Sequence, residues 1–137
     1  MSEFVEELKD DEGFRSEVYL DHLGNPTIGF GTMISELVVT REQAESWLLG
    51  EVAEKEARLV LVPFYNRMSE VRKDVIRSMA YQMGVAGVRR FKNMWLAISE
   101  SDYEMAGAEM RDSQWFRDPA TRGRANRMAV RMETGVW

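Results

Sequence analysis

The sequence predicts an α+β fold that is mostly helical and divided into two lobes, with a small β region near the N-terminus. Apolar residues recur at helical spacing over most of the chain from residue 41 onward. Residues 17–34 instead combine β-favouring side chains with a turn signal and alternating glycines. The chain has 137 residues, of which 45% are hydrophobic, so it can bury one core shared by both lobes. We therefore treat residues 1–137 as a single domain.

The N-terminal lobe, about residues 10–40, is predicted to contain a β-hairpin or small sheet. Its strands flank a turn signal at residues 22–26, where glycine, asparagine and proline follow one another. A helix over residues 3–12 precedes the strands, with Ser2 as its expected cap and Gly13 as its expected end. We expect this first helix to pack on the other lobe.

A long helix over about residues 41–61 is predicted to connect the lobes. Thr40 and Gln43 have the spacing of a capping box, in which each side chain binds the backbone amide of the other residue. A second capping box, Ser101 with Glu104, is predicted to begin a helix further along the chain. The C-terminal lobe, about residues 62–137, is predicted to hold helices over residues 69–84, 88–99, 102–111 and 121–133.

The net charge of −5 is unevenly distributed along the chain. Residues 1–70 carry fifteen acidic and six basic side chains, whereas residues 71–137 carry eight and twelve. The basic half indicates either a face that attracts anions or an ordinary solvated helix surface. Because its arginines lack interleaved aromatic residues, we do not expect nucleic acid as a partner. The chain has no long apolar run and an acidic N-terminus, so we expect neither membrane insertion nor a signal peptide.

The residue types available for catalysis are few. The chain has no cysteine and one histidine, His22, so thiol nucleophiles and disulfides are excluded. It also lacks the glycine-rich phosphate-binding and dinucleotide-binding motifs and the serine hydrolase elbow. We expect no metal and no cofactor. Carboxylates therefore remain as the candidate catalytic groups.

Glu12 and Asp21 stand out among the carboxylates by their position. Glu12 ends the predicted first helix, and Asp21 lies where the strand enters its turn, with Thr27 across the same turn. A hairpin folded back on the helix would place these groups on two sides of a cleft, as glycoside hydrolysis requires. The chain has twenty-three acidic residues, however, so any two of them can be paired in this way, and position alone favours a pair of ordinary surface carboxylates.

Three groups of motifs occur in order along the chain and cover it from about residue 4 to residue 137. They comprise residues 11–13, 18–21 and 24–31, then residues 81–88 with Phe91, and finally residues 113–116, 124–127 and 134–137. This ordered set resembles the phage-type lysozymes, the T4-lysozyme-like group that forms glycoside hydrolase family twenty-four. Glu12, Asp21 and Thr27 match the Glu-x8-Asp-x5-Thr spacing of that family.

The resemblance implies a lysozyme-like fold and a muramidase that degrades peptidoglycan. Glu12 would be the general acid that protonates the glycosidic oxygen. Asp21 and Thr27 would hold the water that attacks the anomeric carbon from the opposite face, which inverts its configuration. The site must then keep Glu12 protonated and Asp21 ionised. The resemblance further implies sugar contacts for Gln82, Tyr81 and Phe30, and supporting roles for Arg124, which would pair with Glu12, and for Gly29 and Gly31.

The same resemblance implies bacterial peptidoglycan as the partner of a monomeric enzyme. Such an enzyme would be made in the host cytoplasm and reach the wall after holin release or by tail delivery. Thr32 replaces a frequent histidine, and the segment at residues 34–40 is shorter than in T4-like members, which trims the N-terminal lobe. The alternative hypothesis is a lysozyme-like wall-binding or tail structural module with weakened catalysis. Free endolysin and tail-associated lysozyme both remain open.

Overall fold

The computed structural model describes residues 2–137 and confirms a mostly helical α+β fold with a small N-terminal sheet. The described residues form two compact units, one that ends at Ala44 and one that covers Glu45–Trp137. The expected single domain, with the first helix packed on the C-terminal lobe, stays a prediction. Within residues 2–137, none of the helices combines the length and the apolar character that a membrane span needs. The elements are α1 (Glu3–Glu12), β1 (Arg15–Leu20), β2 (Pro26–Gly29), β3 (Thr32–Met33), α2 (Arg41–Leu59), α3 (Glu70–Arg89), α4 (Lys92–Ser99), α5 (Tyr103–Arg111), α6 (Gln114–Arg117) and α7 (Arg122–Thr134).

The first unit contains the sheet, whose three antiparallel strands lie side by side in sequence order. Thr27 on β2 pairs with Tyr19 on β1 and with Met33 on β3, so it occupies the central strand. β1 begins at Arg15, two residues before the predicted β region, because Arg15 pairs with Gly29 beyond an irregularity in the register. This position makes Thr27 one of the few buried polar residues, with 2% of its surface exposed.

The two helices that begin in the first unit are capped differently. Thr40 and Gln43 form the predicted capping box at the start of α2: the Thr40 amide donates to Gln43 Oε1 (2.8 Å), and the Gln43 amide donates to Thr40 Oγ1 (3.1 Å). Ser2 stands at the predicted cap position of α1, but its side chain makes no capping hydrogen bond. Its carbonyl oxygen instead accepts hydrogen bonds from the first backbone amides of the helix. Acidic residues in the first turn interact favourably with the positive end of the helix dipole.

The second unit packs around a continuous apolar core. The apolar positions of α3 that recur every four residues supply part of it, since Val75 and Met79 are fully buried. α5 and α7 pack closely on one another and on the helices beside them. The largest fully buried side chains are Tyr65, Leu59, Ile76, Met79, Met94, Ile98, Met110 and Met132.

Helix boundaries differ from the prediction around Gly84. Gly84 adopts φ 77° and ψ 159°, a conformation open to glycine, and the helix then resumes and runs to Arg89. The predicted end at Gly84 is therefore an interruption within α3. Residues 88 and 89 belong to α3, and α4 begins at Lys92. The predicted start of a separate helix at residue 88 was therefore wrong.

The cap of α5 also differs from the prediction. Asp102 rather than Ser101 caps the helix, because Asp102 Oδ1 accepts the amide of Met105 at 3.0 Å. Ser101 has φ 56°, which removes it from the extended conformation that a cap residue adopts. The short helix α6 was not predicted, and Ser113 caps it by accepting the amide of Phe116.

Arg72 joins the beginning of α3 to the end of α7. Its Nε donates to the Met132 carbonyl oxygen (2.7 Å) and its Nη2 to the Glu133 carbonyl oxygen (3.0 Å). The guanidinium also lies 3.8 Å from the ring centroid of Tyr103. Carbonyl oxygens at the end of a helix lack intrahelical donors and attract a cation. Arg72 therefore caps the C-terminal end of α7 and links it to α3.

Candidate active site

Glu12 is the last residue of α1, and its carboxylate lies against the turn between β2 and β3. A Cβ atom on Gly31 would stand 2.7 Å from Glu12 Oε2 and 3.2 Å from its carboxyl carbon. Gly31 also has φ +84°, a region that residues with a side chain rarely adopt. The positive φ therefore favours glycine at this position, and the flexible end of the Glu12 side chain fills the space that the absent side chain leaves.

The Asp21 carboxylate is held by the turn that follows β1. Its Oδ1 accepts the backbone amides of Leu23 (2.9 Å) and Asn25 (2.8 Å), and its Oδ2 accepts Asn25 Nδ2 at 3.4 Å. The Asn25 amide contributes most to holding the pKa of Asp21 below its ordinary value, the Leu23 amide and the nearby His22 add to this, and burial opposes it. The turn thus favours an ionised Asp21.

Thr27 and Asp21 meet at the backbone of Asn25. The Thr27 hydroxyl donates to the Asn25 carbonyl oxygen (2.8 Å), and the Asp21 amide donates to the same oxygen (3.0 Å). The structure therefore brings Asp21 and Thr27 together around one residue, while Glu12 lies beside Gly31 in the same unit. Sequence reasoning missed Asn25, although an asparagine directly before proline in a turn is a recognisable signal.

Phe30 and its flanking glycines form the tip between β2 and β3. Gly29 has φ +71° and Gly31 φ +84°, so both predicted supporting glycines adopt conformations that favour glycine. The Phe30 ring contacts that of Phe14, with centroids 5.4 Å apart, and 45% of Phe30 is exposed. The sequence singled out Phe30 for sugar contact but not Phe14, which sequence periodicity does not distinguish from a surface residue.

Gln82 and Tyr81 lie on α3 in the second unit. The indole nitrogen of Trp115 donates to Gln82 Oε1 (3.0 Å). Gln82 and Trp115 also line a surface cavity of about 450 Å³. This bond leaves the Gln82 amide nitrogen available to a ligand. Tyr81 is also exposed, and the Lys55 ammonium lies 5.9 Å from its ring centroid. Trp115 belongs to the apolar core.

Arg124 on α7 is half-buried and bonds within the second unit. Its Nη2 donates to Ser78 Oγ (3.2 Å) and to the Ser78 carbonyl oxygen (3.4 Å). These bonds direct the guanidinium toward α3. The ion pair with Glu12 that the resemblance implied stays a prediction.

Comparison with known proteins places the chain among lysozymes. The family described as phage lysozyme matches residues 9–130. The pre-baseplate central spike protein Gp5 of Enterobacteria phage T4 is 30% identical over 96% of this chain, which spans 28% of that protein. Probable T4-type lysozyme 1 of Dictyostelium discoideum is 29% identical over 99% of this chain and 96% of its own length. The peptidoglycan hydrolase gp36 of Pseudomonas phage phiKMV is 29% identical over 93% of this chain and 15% of its own.

The alignments show that this chain is short for its relatives. They extend over 160 positions for the spike protein and 166 for the Dictyostelium lysozyme, whereas the chain has 137 residues. Those relatives therefore carry residues that this chain lacks. The family match nevertheless covers most of the chain, including Glu12, Asp21 and Thr27. The chain belongs to the phage lysozyme family, a family of glycosidases.

Proposed function

We propose that this chain is a muramidase that hydrolyses the β-1,4 bond between N-acetylmuramic acid and N-acetylglucosamine in peptidoglycan. The observation that carries the proposal is the arrangement of the first unit, where the Glu12 carboxylate lies at Gly31 and Asp21 and Thr27 meet at Asn25. The similarity to a protein named peptidoglycan hydrolase supports this class of substrate.

Glu12 acts as the general acid in this proposal. It transfers its proton to the glycosidic oxygen while the bond between that oxygen and the anomeric carbon breaks, so the leaving sugar departs as a neutral alcohol. Glycine at position 31 gives the Glu12 carboxylate room to lie against the turn between β2 and β3. Arg124 would pair with the carboxylate that remains after proton transfer.

Asp21 and Thr27 hold the attacking water in this proposal. The low pKa of Asp21 keeps its carboxylate ionised and able to accept a hydrogen bond from water. As the water oxygen bonds to the anomeric carbon, Asp21 takes its proton, and the configuration at that carbon inverts. Gln82, Tyr81 and Phe30 would contact the flanking sugars, since all three are exposed.

The first experiment measures turbidity loss in a suspension of chloroform-treated Gram-negative cells. Wild type is compared with Glu12→Gln, and circular dichroism verifies that both are folded. We expect only wild type to clear the suspension, because the amide cannot donate the proton that the leaving oxygen needs. Clearing by Glu12→Gln at the wild-type rate would remove Glu12 from its role.

The stereochemical course is tested separately. Proton NMR of the first product formed from soluble glycan strands should show the α-anomer of the new reducing end, because inversion converts a β linkage to an α product. Initial formation of the β-anomer would contradict a water held by Asp21 and Thr27 on the face opposite the leaving group.

A second candidate function is a wall-binding or tail structural module with weakened catalysis. The similarity to a pre-baseplate central spike protein favours it, because the segment similar to this chain makes up 28% of that protein. Absence of clearing by well-folded wild type, together with sedimentation on purified peptidoglycan, would support this module. The muramidase proposal instead places the protein, as a monomer, at the cell wall of a phage host after holin release or tail delivery.

A further inference from the structure

Asn25 makes hydrogen bonds to both residues that are proposed to hold the attacking water. Its backbone amide and its side-chain Nδ2 donate to the two oxygens of the Asp21 carboxylate, at 2.8 Å and 3.4 Å. Its carbonyl oxygen accepts the Asp21 amide at 3.0 Å and the Thr27 hydroxyl at 2.8 Å. A single half-buried residue thus contacts Asp21 and Thr27 through its backbone amide, its carbonyl oxygen and its side-chain nitrogen.

The bond to Asn25 decides what the Thr27 hydroxyl can offer to water. A hydroxyl has one hydrogen, and in Thr27 that hydrogen points to the Asn25 carbonyl oxygen. Oγ1 therefore presents only lone pairs to a further partner. Because 2% of Thr27 is exposed, this hydroxyl has little access to bulk water as another hydrogen-bond partner. A water at Thr27 must donate a hydrogen to Oγ1.

The bonds within the turn also distinguish the two oxygens of Asp21. Oδ1 already accepts two backbone amides, from Leu23 and Asn25. Oδ2 accepts only the longer bond from Asn25 Nδ2, so it retains acceptor capacity. A water at Asp21 is therefore expected to donate to Oδ2. With one hydrogen on Oδ2 and the other on Oγ1, the water oxygen directs its lone pairs away from both residues.

The local sequence explains why asparagine suits this position. Pro26 follows Asn25 and favours an extended backbone at the residue before it, which leads directly into β2. The short asparagine side chain can reach back to the carboxylate four residues earlier. An aspartate has the same shape, but it would present an acceptor to Asp21 Oδ2 instead of a donor.

We propose that Asn25 is a positioning residue for the hydrolytic water. It fixes the Thr27 hydroxyl and the Asp21 carboxylate so that Oγ1 and Oδ2 bind the two hydrogens of one water molecule. This inference rests on the proposed muramidase function, and it adds a residue that does not itself touch the substrate.

The test is the isosteric substitution Asn25→Asp, assayed on soluble glycan strands of alternating N-acetylglucosamine and N-acetylmuramic acid. The backbone bonds of residue 25 are retained, while the donor to Oδ2 becomes a second negative charge. We expect kcat to fall by roughly tenfold or more at neutral pH with little change in KM, because general-base assistance is typically worth about 10² to 10⁴ in rate. The acid limb of the kcat profile should move to higher pH, since a like charge raises the pKa of Asp21.

Two further variants complete the experiment. Asn25→Ala removes the donor without adding charge, so it should lower kcat less than Asn25→Asp does. If Asn25→Asp does not fold, Asn25→Ala tests the role of Asn25 on its own. His22→Gln is the matched control: within the described residues, His22 is the titratable side chain that acts on the pKa of Asp21, but it makes no hydrogen bond to that carboxylate. We expect its kcat to stay within about twofold of wild type, as is usual for a surface change.

The outcomes separate this inference from the function on which it rests. Wild-type kcat and an unshifted acid limb in folded Asn25→Asp and Asn25→Ala would overturn the role of Asn25. If Asp21→Asn is inactive in the same assay, the muramidase proposal stands without a role for Asn25. If Asp21→Asn itself turns over at the wild-type rate, the water-holding role of Asp21 fails, and the inference fails with it.

Discussion

The Glu12 carboxylate occupies the space that a side chain on Gly31 would need, with Oε2 2.7 Å from the position of the missing Cβ. The end of α1 and the turn between β2 and β3 are therefore fitted to each other at this point. Gly31 would be constrained even without Glu12, because its φ is +84°. The two constraints can be separated experimentally, since another glycine in the same unit shares only one of them.

Gly31→Ala should reduce activity beyond what its effect on stability explains. The new methyl group would collide with the flexible end of the Glu12 side chain, so the carboxylate would move while the backbone remains. We expect kcat to fall at least tenfold, because a general acid displaced by about an ångström loses much of its effect. The positive φ adds about 1–2 kcal/mol of destabilisation, measured by urea unfolding.

Gly24→Ala is the control for this prediction. Gly24 has the same φ of +84°, but nothing lies within 4 Å of the Cβ position. It should lose a similar unfolding free energy and keep its kcat. Equal kcat values for the two variants would mean that the contact between Glu12 and Gly31 has no part in catalysis.

Thr27→Val should lower activity while Thr27→Ser retains most of it. Valine has nearly the shape of threonine but no hydroxyl, so both the bond to Asn25 and the acceptor for water are lost. We expect a fall in kcat of roughly tenfold to a hundredfold, and a loss of about 1 kcal/mol in stability. Serine keeps the hydroxyl and loses a methyl group, which costs about 1 kcal/mol. Steady-state kinetics and urea unfolding measure these effects. A fully active Thr27→Val would contradict a role for the Thr27 hydroxyl in holding water.

Gln82 should show a structural role and a binding role that can be separated. Gln82→Leu removes the acceptor of the Trp115 indole hydrogen, which should cost about 1–3 kcal/mol because that donor is left unpaired. Gln82→Glu keeps an acceptor and should retain the thermal midpoint. If Gln82 contacts sugar, both variants should raise KM on soluble glycan strands. An unchanged KM in Gln82→Glu would limit Gln82 to supporting Trp115.

A network around Arg77 predicts how stability depends on pH. Arg77 bonds both oxygens of Glu56 (2.8 and 3.1 Å), and Tyr65 donates to the same carboxylate. The bonds from Arg77, more than that from Tyr65, hold the pKa of Glu56 below its ordinary 4.5. This contribution to stability is therefore complete above about pH 4.5 and is lost as the pH falls through the lower pKa of the folded state.

Glu56→Gln should flatten the decline of unfolding free energy below about pH 4.5, where this ion-paired carboxylate becomes protonated. The measurement is urea unfolding at several pH values. Glu70→Gln is the control, because Arg77 also lowers the pKa of Glu70 but its side chain is 74% exposed to water. A steeper acid limb in Glu56→Gln than in wild type would contradict the assignment.

Features set by neighbouring residues could be predicted from the sequence. The capping box of Thr40 and Gln43 and the end of α1 at Gly13 depend on spacings of a few residues, and both are observed. The cap of α5 shows the limit of such reasoning, because Ser101 and Asp102 are both good cap residues. The φ of 56° at Ser101 decides between them, and that angle depends on how α4 ends.

The parts of the candidate site that escaped prediction depend on the path of the backbone. Asn25 contacts Asp21 and Thr27 only because the backbone of the turn folds back toward Asp21. The residue types in the turn do not reveal this path. The bond between Gln82 and Trp115 joins residues 33 positions apart. Their pairing depends on α7, which packs against both α3 and α6, and no local spacing predicts it.

The short reach of the bonds around Asn25 has a consequence for folding kinetics. They join residues at most four positions apart, and the strands of the sheet follow one another in sequence. Closing such small loops costs little chain entropy, and contacts of low sequence separation form early. The bond between Arg72 and Met132, by contrast, must wait until residues 60 positions apart have met. The turn that carries Asp21 and Thr27 is therefore expected to acquire amide protection while the second unit is still assembling its core.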